Sequence, residues 1–151
     1  MAKITQRDAT RNQSAADFLR CEHIFLFDNH YQAGVFKNTT GAELTLKAGS
    51  LVKRGTTANE LVPVGADLTL VDTIGIVFIE EDIVLAANET ADIHYGIDGA
   101  IDETKLELPG ATTIDTFPTD GTTTSGKTVK DFLHALGFQL EGSVDNTKYD
   151  N

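Results

Sequence analysis

The 151-residue chain is strongly acidic: 23 Asp and Glu residues outnumber 12 Lys and Arg, which gives a formal net charge of −11. This balance argues against nucleic acid and anionic membranes as partners, because binding phosphates requires a concentrated basic surface. The length suits one domain with its own core, and the single cysteine leaves no internal disulfide. No stretch approaches the ~20 consecutive apolar residues of a membrane-spanning helix.

The N-terminal segment differs from the rest of the chain. Residues 1–16 are polar and show little periodicity, and the first twenty residues carry a local excess of positive charge, whereas most of the acid follows Glu60. We predict a flexible arm that orders on a partner, with an ordinary frayed terminus as the alternative. The segment is too polar for a secretory signal peptide, which favours a protein made in a reducing cytoplasm. The candidate contact residues of the arm are Lys3, Ile4, Arg7, Arg11, Phe18, Leu19 and Arg20.

Short apolar runs separated by polar turns follow the arm, with no helix-length gap between them. This pattern predicts strands and a core built by strand pairing. Residues 38–41 and 48–50 are predicted turns, and residues 51–54 and 60–64 a hairpin. Residues 74–79 form a nearly continuous apolar run, typical of a central strand. The other predicted strands are residues 21–27, 31–37, 43–47, 67–71, 83–87, 91–97, 100–101 and 105–108.

The periodicity changes near the C-terminus. Residues 111–125 are rich in Thr, Asp, Gly and Pro and predict a surface loop. Val129, Phe132, Leu133 and Leu136 then repeat as one face of a helix, predicted at about residues 127–136 and ended by Gly137. A strand over residues 138–144 follows. The sequence therefore predicts a mainly β domain over residues 21–145, with one short C-terminal helix and a polar tail at 146–151.

One motif points to nucleotide binding. Residues 121–128, GTTTSGKT, match the P-loop pattern, in which Lys127 would reach the terminal phosphates and Thr128 would hold magnesium. The context opposes this interpretation. The preceding segment is polar and contains Pro118 instead of forming a buried strand, and the upstream strands are too close together for crossover helices. We interpret the segment as a loop that enters the helix, with a capping residue near 124–125.

No other pattern assembles catalytic or metal-binding chemistry, so we predict no catalytic residue, no cofactor and no metal. The four histidines, His23, His30, His94 and His134, lack metal-ligand spacing, and His94 is expected to face solvent. Asp98 and Asp102 lie in a turn-rich stretch without the twelve-residue calcium-loop pattern, and we interpret them as solvated acidic residues. A hydrolytic carboxylate pair stays open, because such pairs need no fixed sequence spacing.

Four segments together resemble a known family. They are residues 48–55 (AGSLVKRG), 61–64 (LVPV), 74–108 and 130–144 (KDFLHALGFQLEGSV). Their sequences and order resemble the head decoration, or cement, proteins of tailed phages, of the lambda type, over roughly residues 34–144. The loop at residues 111–125 looks like an insertion relative to the compact members.

The resemblance implies a compact, mainly β domain that is like a small β-barrel or β-clip. It also implies a viral structural protein and no enzyme. It implies a homotrimer that binds the major capsid protein on the outside of an expanded phage head, at three-fold sites, after synthesis in the host cytoplasm. It also implies an N-terminal arm that orders on the shell, often by pairing with capsid strands. Another virion component, such as a tail, baseplate or fibre module, is the alternative. A P-loop nucleotide-binding enzyme and a carboxylate-dependent hydrolase are more remote ones.

Overall fold

The computed structural model describes residues 24–65, 68–120, 123–124 and 126–142. Within these residues the chain is mainly β with one short helix near the C-terminus, which confirms the predicted fold class. The strands are β1 (Phe25–Lys37), β2 (Leu44–Leu46), β3 (Leu51–Arg54), β4 (Glu60–Pro63), β5 (Gly75–Phe78), β6 (Ile83–Leu85), β7 (Thr90–Asp102), β8 (Thr119–Asp120), β9 (Thr123–Thr124) and β10 (Phe138–Glu141). The helix α1 spans Val129–Leu136, and short 3₁₀ helices span Leu68–Asp72 and Glu103–Lys105.

The main sheet returns on itself. Its strand order is β1-β4-β3-β5-β7-β10, and β1 also pairs with β7, so β1, β4, β3, β5 and β7 form a closed cycle of hydrogen-bonded pairs. Among the pairings of the described strands, β1–β4 and β7–β10 are parallel and the others are antiparallel. The predicted β3–β4 hairpin and the central position of β5 are both confirmed. Separate two-stranded sheets join β2 to β6 and β8 to β9.

Two long strands replace four of the predicted short ones. The segments 21–27 and 31–37 overlap a single strand, β1, and the segments 91–97 and 100–101 lie within β7. The β1–β7 ladder shifts register near Phe27 and His30, where Asp28 has a φ of 56° and Gly99 of β7 has a φ of 98°. These irregularities resemble loops in the sequence, but hydrogen bonding continues through them.

Two buried aromatic rings pack directly against glycines of the main sheet. Phe25 lies over Gly96 of β7, and a Cβ at Gly96 would collide with its ring. Tyr95 lies in the same way against Gly75 of β5, and its hydroxyl donates a 2.8 Å hydrogen bond to Gln32 Oε1. Glycine at these positions leaves room for ring burial against the backbone. The core therefore depends on close packing as well as on hydrophobicity.

A buried asparagine ties the small β2–β6 sheet to the end of β1. Asn38 is fully buried, and its Nδ2 donates to the carbonyl oxygens of Ala42, Leu85 and Ala86 at 2.7, 3.0 and 3.1 Å. Its Oδ1 accepts from both the amide and the hydroxyl of Thr40. One side chain therefore satisfies carbonyl groups from segments that are distant in the sequence.

Three local predictions were wrong. The segment 67–71, predicted as a strand, is a 3₁₀ helix over its described part, which Thr73 closes with a 2.6 Å hydrogen bond to the Leu70 carbonyl. The segment 105–108 is not a strand, because only Glu107 forms a bridge, to Ser50. The predicted loop at 111–125 contains the β8–β9 hairpin.

The helix α1 ends as predicted and begins later than predicted. Gly137 terminates it in a left-handed conformation, with a φ of 111°. The N-cap is Thr128 instead of a residue near 124–125, because the Thr128 side chain bonds Asp131 in a capping box. Of the predicted apolar face, Val129 and Leu133 are buried in the core, whereas Phe132 is half-buried and Leu136 is exposed.

Candidate interaction surface

The predicted contact residues of the N-terminal arm all lie outside the described residues. They are Lys3, Ile4, Arg7, Arg11, Phe18, Leu19 and Arg20, and the polar tail at 146–151 lies outside as well. The described part begins at Ile24, which is buried and leads directly into β1. In the described body, β1 is therefore the strand next to the predicted arm in the sequence.

The first strand carries an exposed apolar strip. Phe27, Tyr31 and Val35 of β1 are 55%, 42% and 37% exposed, and we call these three residues the β1 strip. Large apolar side chains occur singly on most protein surfaces, but several along one strand indicate a contact surface. This strip was not predicted from the sequence, because exposure depends on which strands cover β1.

The strip is anchored by an aromatic cluster. The Tyr31 ring centroid lies 4.5 Å from that of Phe78 and 5.5 Å from that of Phe25. Phe25 is itself buried and lies 5.3 Å from Phe78. Edge-to-face contacts at these distances stabilise aromatic pairs. Tyr31 is therefore held by its neighbours while almost half of its surface stays exposed.

One edge of β1 is only partly covered by strands. On one side β1 pairs with β7 along most of its length. On the other side β4 reaches only Val35 and Phe36, where the Val35 amide donates a 2.9 Å hydrogen bond to the Asn59 carbonyl. Among the described strands, none continues this pairing toward Phe27. An edge of this kind can accept an added strand from another chain.

Polar side chains at the irregular part of the β1–β7 ladder hold the two strands together. Asp98 accepts hydrogen bonds from the His30 amide at 2.9 Å and pairs with the His30 ring at 2.8 Å. Asn29 Nδ2 donates to the carbonyl oxygens of Asp98 and Ala100. These bonds fix the irregular part of the β1–β7 ladder. They occupy the Asp98 carboxylate that the sequence singled out as a possible cation ligand.

Asp102 is buried, which corrects the expectation of a solvated residue. Its Oδ1 accepts hydrogen bonds from the amide and the hydroxyl of Thr104, at 3.0 and 2.6 Å. Lys105 Nζ lies 3.6 Å from Asp102 Oδ2. The carboxylate therefore starts the 3₁₀ helix Glu103–Lys105 as its N-cap. Buried charge of this kind is tolerated because it is paired and hydrogen-bonded.

Within the described residues of the P-loop match and the helix that follows it, the backbone amides at the start of α1 already have hydrogen-bond acceptors. The amides of Val129 and Lys130 donate to the carbonyls of Thr116 and Ile114, at 3.0 Å each. The Thr128 amide donates to the Asp131 carboxylate. The Asp131 amide donates to the Thr128 hydroxyl. A phosphate site needs free amides at a helix N-terminus. Here internal acceptors occupy them, and a carboxylate stands beside Thr128.

We expect the Thr128→Ala variant to lower the free energy of unfolding by about 1 kcal/mol, because it removes a helix cap.

Hydrogen bonds from the Thr128 amide and side chain lower the pKa of Asp131 below its ordinary value of 3.8. The stabilisation from Asp131 should therefore be fully present above about pH 4 and be lost as the pH falls below that value. Thermal melts of Asp131→Asn against wild type at neutral and acidic pH measure this.

The matched control is Asp115→Asn, which alters an exposed aspartate in the preceding loop. This control should melt like wild type at both pH values. A deficit in Asp131→Asn that is as large at acidic pH as at neutral pH would contradict the capping role.

The described residues assemble no metal site or membrane-spanning helix. No group of three or more His, Cys, Asp or Glu side chains among them could hold a metal ion. His94 is exposed, as predicted, and so are His30 and His134, whereas His23 lies outside the described residues. No helix in the described part of the chain is long and apolar enough to cross a membrane.

Comparison with known proteins adds no assignment: no protein-family model matches the chain, and no curated protein matches it.

Proposed function

We propose that the protein is a structural component of a phage virion that binds the outside of an expanded head. In this proposal it acts as a homotrimer on the major capsid protein, at three-fold sites, and stabilises the shell. The observation that carries the proposal in the described structure is the β1 strip beside a partly uncovered strand edge. The resemblance of residues 34–144 to head decoration proteins supplies the identity of the partner.

The β1 strip suits attachment to a repeating protein lattice. Exposed aromatic side chains provide contact area at low entropic cost, and a strand edge offers backbone hydrogen bonds to an added strand. The segment that precedes β1 contains the predicted arm, so the arm and the strip are adjacent in sequence. A partner that engages both would bury one continuous surface.

The charge distribution is compatible with storage as a free protein and with later docking. A net charge of −11 disfavours nonspecific association of free copies, whereas the basic residues of the arm could pair with acidic groups on a shell. Trimerisation would add avidity, because binding of one subunit raises the effective concentration of the next. These properties support a binding role and require no catalytic group.

Deletion of residues 1–20 should weaken binding to expanded shells by at least about tenfold. Each subunit of the trimer would lose the affinity of its arm, and avidity multiplies these losses. The test uses empty shells assembled from the major capsid protein encoded nearest to this gene, in compact and expanded forms. Co-sedimentation measures binding, and analytical ultracentrifugation should give close to three times the 16.3 kDa chain mass.

A matched pair of variants separates the effect of a charge in the β1 strip from the effect of the same charge elsewhere on the surface. Phe27→Asp alters the strip, and Val84→Asp introduces the same charge at an exposed valine of β6, which is 58% exposed. Only Phe27→Asp should reduce binding. A full-length protein that binds neither form of the shell would refute the proposed function. Binding that survives both the deletion and Phe27→Asp would refute the role of this surface.

A further inference from the structure

A groove with a cationic rim lies where β1 and β4 separate. The parallel pairing of these strands stops at Phe36 and Leu61, and the space beyond forms an open groove of about 570 Å³. Lys37 from the end of β1 and Lys53 and Arg54 from β3 line it. We call this space the cationic groove. It is unusual in this molecule because acidic residues outnumber basic ones almost two to one, 23 to 12.

The three cations of the groove form no ion pair within the part of the chain that the structure describes. None of Lys37, Lys53 and Arg54 lies within ion-pair distance of a carboxylate among the described residues, whereas Lys105 and Lys130 both do. Glu60 is the one carboxylate among the lining residues. Its Oε1 accepts a 3.2 Å hydrogen bond from the Thr56 amide, and it forms no ion pair with the three cations. Unpaired cations grouped on one surface attract an anionic group.

The floor of the groove is apolar. Val62 and Val64 line it and are each only 8% exposed, and Pro63 lies between them. Val62 is the cross-strand partner of Lys53, so an apolar position lies directly beside a cationic one. A ligand that fits must therefore combine negative charge with apolar side chains. Inorganic phosphate lacks the second property.

We propose that the cationic groove binds a short, extended acidic peptide segment of a partner protein, in which carboxylates alternate with apolar side chains. In an extended segment successive side chains point to opposite sides, so carboxylates can reach the rim while apolar groups face the floor. Nucleic acid fits less well, because the protein's net charge of −11 repels a long polyanion. The proposal does not depend on capsid binding.

A peptide-binding experiment tests this inference. The probe is a fluorescein-labelled peptide of alternating glutamate and valine, and anisotropy is measured with the full chain at low salt. We expect saturable binding that weakens as salt is added, because exposed charges are screened. Lys53→Glu and the milder Arg54→Gln should weaken binding, the former by about tenfold. Thermal melts verify that both variants are folded.

Three controls make each outcome decisive. Lys47→Glu changes the net charge equally at an exposed lysine outside the groove and should bind like wild type. A lysine–valine peptide should not bind, and oligothymidylate should bind more weakly than the acidic probe. The proposal is overturned by absent or non-saturable binding, by an equal loss in Lys47→Glu, or by preference for oligothymidylate. Self-association that Lys53→Glu abolishes would instead assign the groove to a second copy and also overturn it.

Discussion

Asn38→Asp is expected to lower the free energy of unfolding by about 3 to 4 kcal/mol at neutral pH, and the melting temperature by roughly 10 °C. The substitution preserves shape but replaces a donor with an oxygen. That oxygen would face the carbonyls of Ala42, Leu85 and Ala86, which Nδ2 now bonds at 2.7 to 3.1 Å. Each carbonyl would lose its hydrogen bond from Nδ2, and a charge placed beside the three carbonyl oxygens would be repelled.

The deficit should depend on pH. Burial among carbonyl oxygens raises the pKa of the introduced carboxyl above its unfolded value of about 3.9. The folded state then holds its proton more tightly than the unfolded state, so stability relative to wild type falls as the pH rises above that value. The deficit should therefore be smallest near pH 4 and grow toward pH 7, as measured by urea unfolding at several pH values.

Asn59→Asp is the matched control. Asn59 is exposed, and aspartate also tolerates its φ of 62°, so the same chemical change should cost little there. If Asn38→Asp unfolds at the same urea concentration as this control, the Asn38 hydrogen bonds do not hold the β2–β6 sheet to β1.

Gly75→Ala is expected to lower the free energy of unfolding by about 3 kcal/mol, because the core has no space for the added methyl group. A Cβ at Gly75 would lie 2.5 Å from Tyr95 Cδ2 and 2.7 Å from the Gly96 carbonyl oxygen. Tyr95 is only 1% exposed and its hydroxyl is bonded to Gln32, so the ring cannot move aside cheaply. Urea unfolding measures the loss.

Gly142→Ala provides the comparison for this variant. A Cβ at Gly142 would meet nothing within 4 Å, so the substitution should leave stability unchanged or raise it slightly. Equal stability of the two alanine variants would show that the strands around Gly75 adjust to the added volume.

The elements that were predicted correctly are those specified by neighbouring residues. The helical repeat of Val129 and Leu133 and the glycine at 137 identify α1, and the hairpin of β3 and β4 follows from two apolar segments joined by a polar turn. Such signals act within a few residues and need no knowledge of the rest of the chain. The fold class was therefore predictable.

The interaction surfaces were not predictable to the same degree. The arm residues were chosen from charge and position, and they lie outside the described structure. The β1 strip and the cationic groove gave no local signal. The groove exists because β4 lies between β1 and β3, so that Lys37 lines the same space as Lys53 and Arg54. Conversely, a complete local motif can mislead. Residues 121–128 match the P-loop pattern, but internal acceptors occupy the amides at the start of α1 that would bind phosphate.

By itself the sequence determined an acidic, mainly β protein with one C-terminal helix, since composition and local periodicity depend only on the order of the residues. Only the tertiary structure decided that β1 and β7 are continuous, that Asn38 is buried, and which side chains are exposed on β1. The physical reason is that these properties arise from pairing between distant segments. Such pairing sets which groups are covered, and no local pattern encodes it.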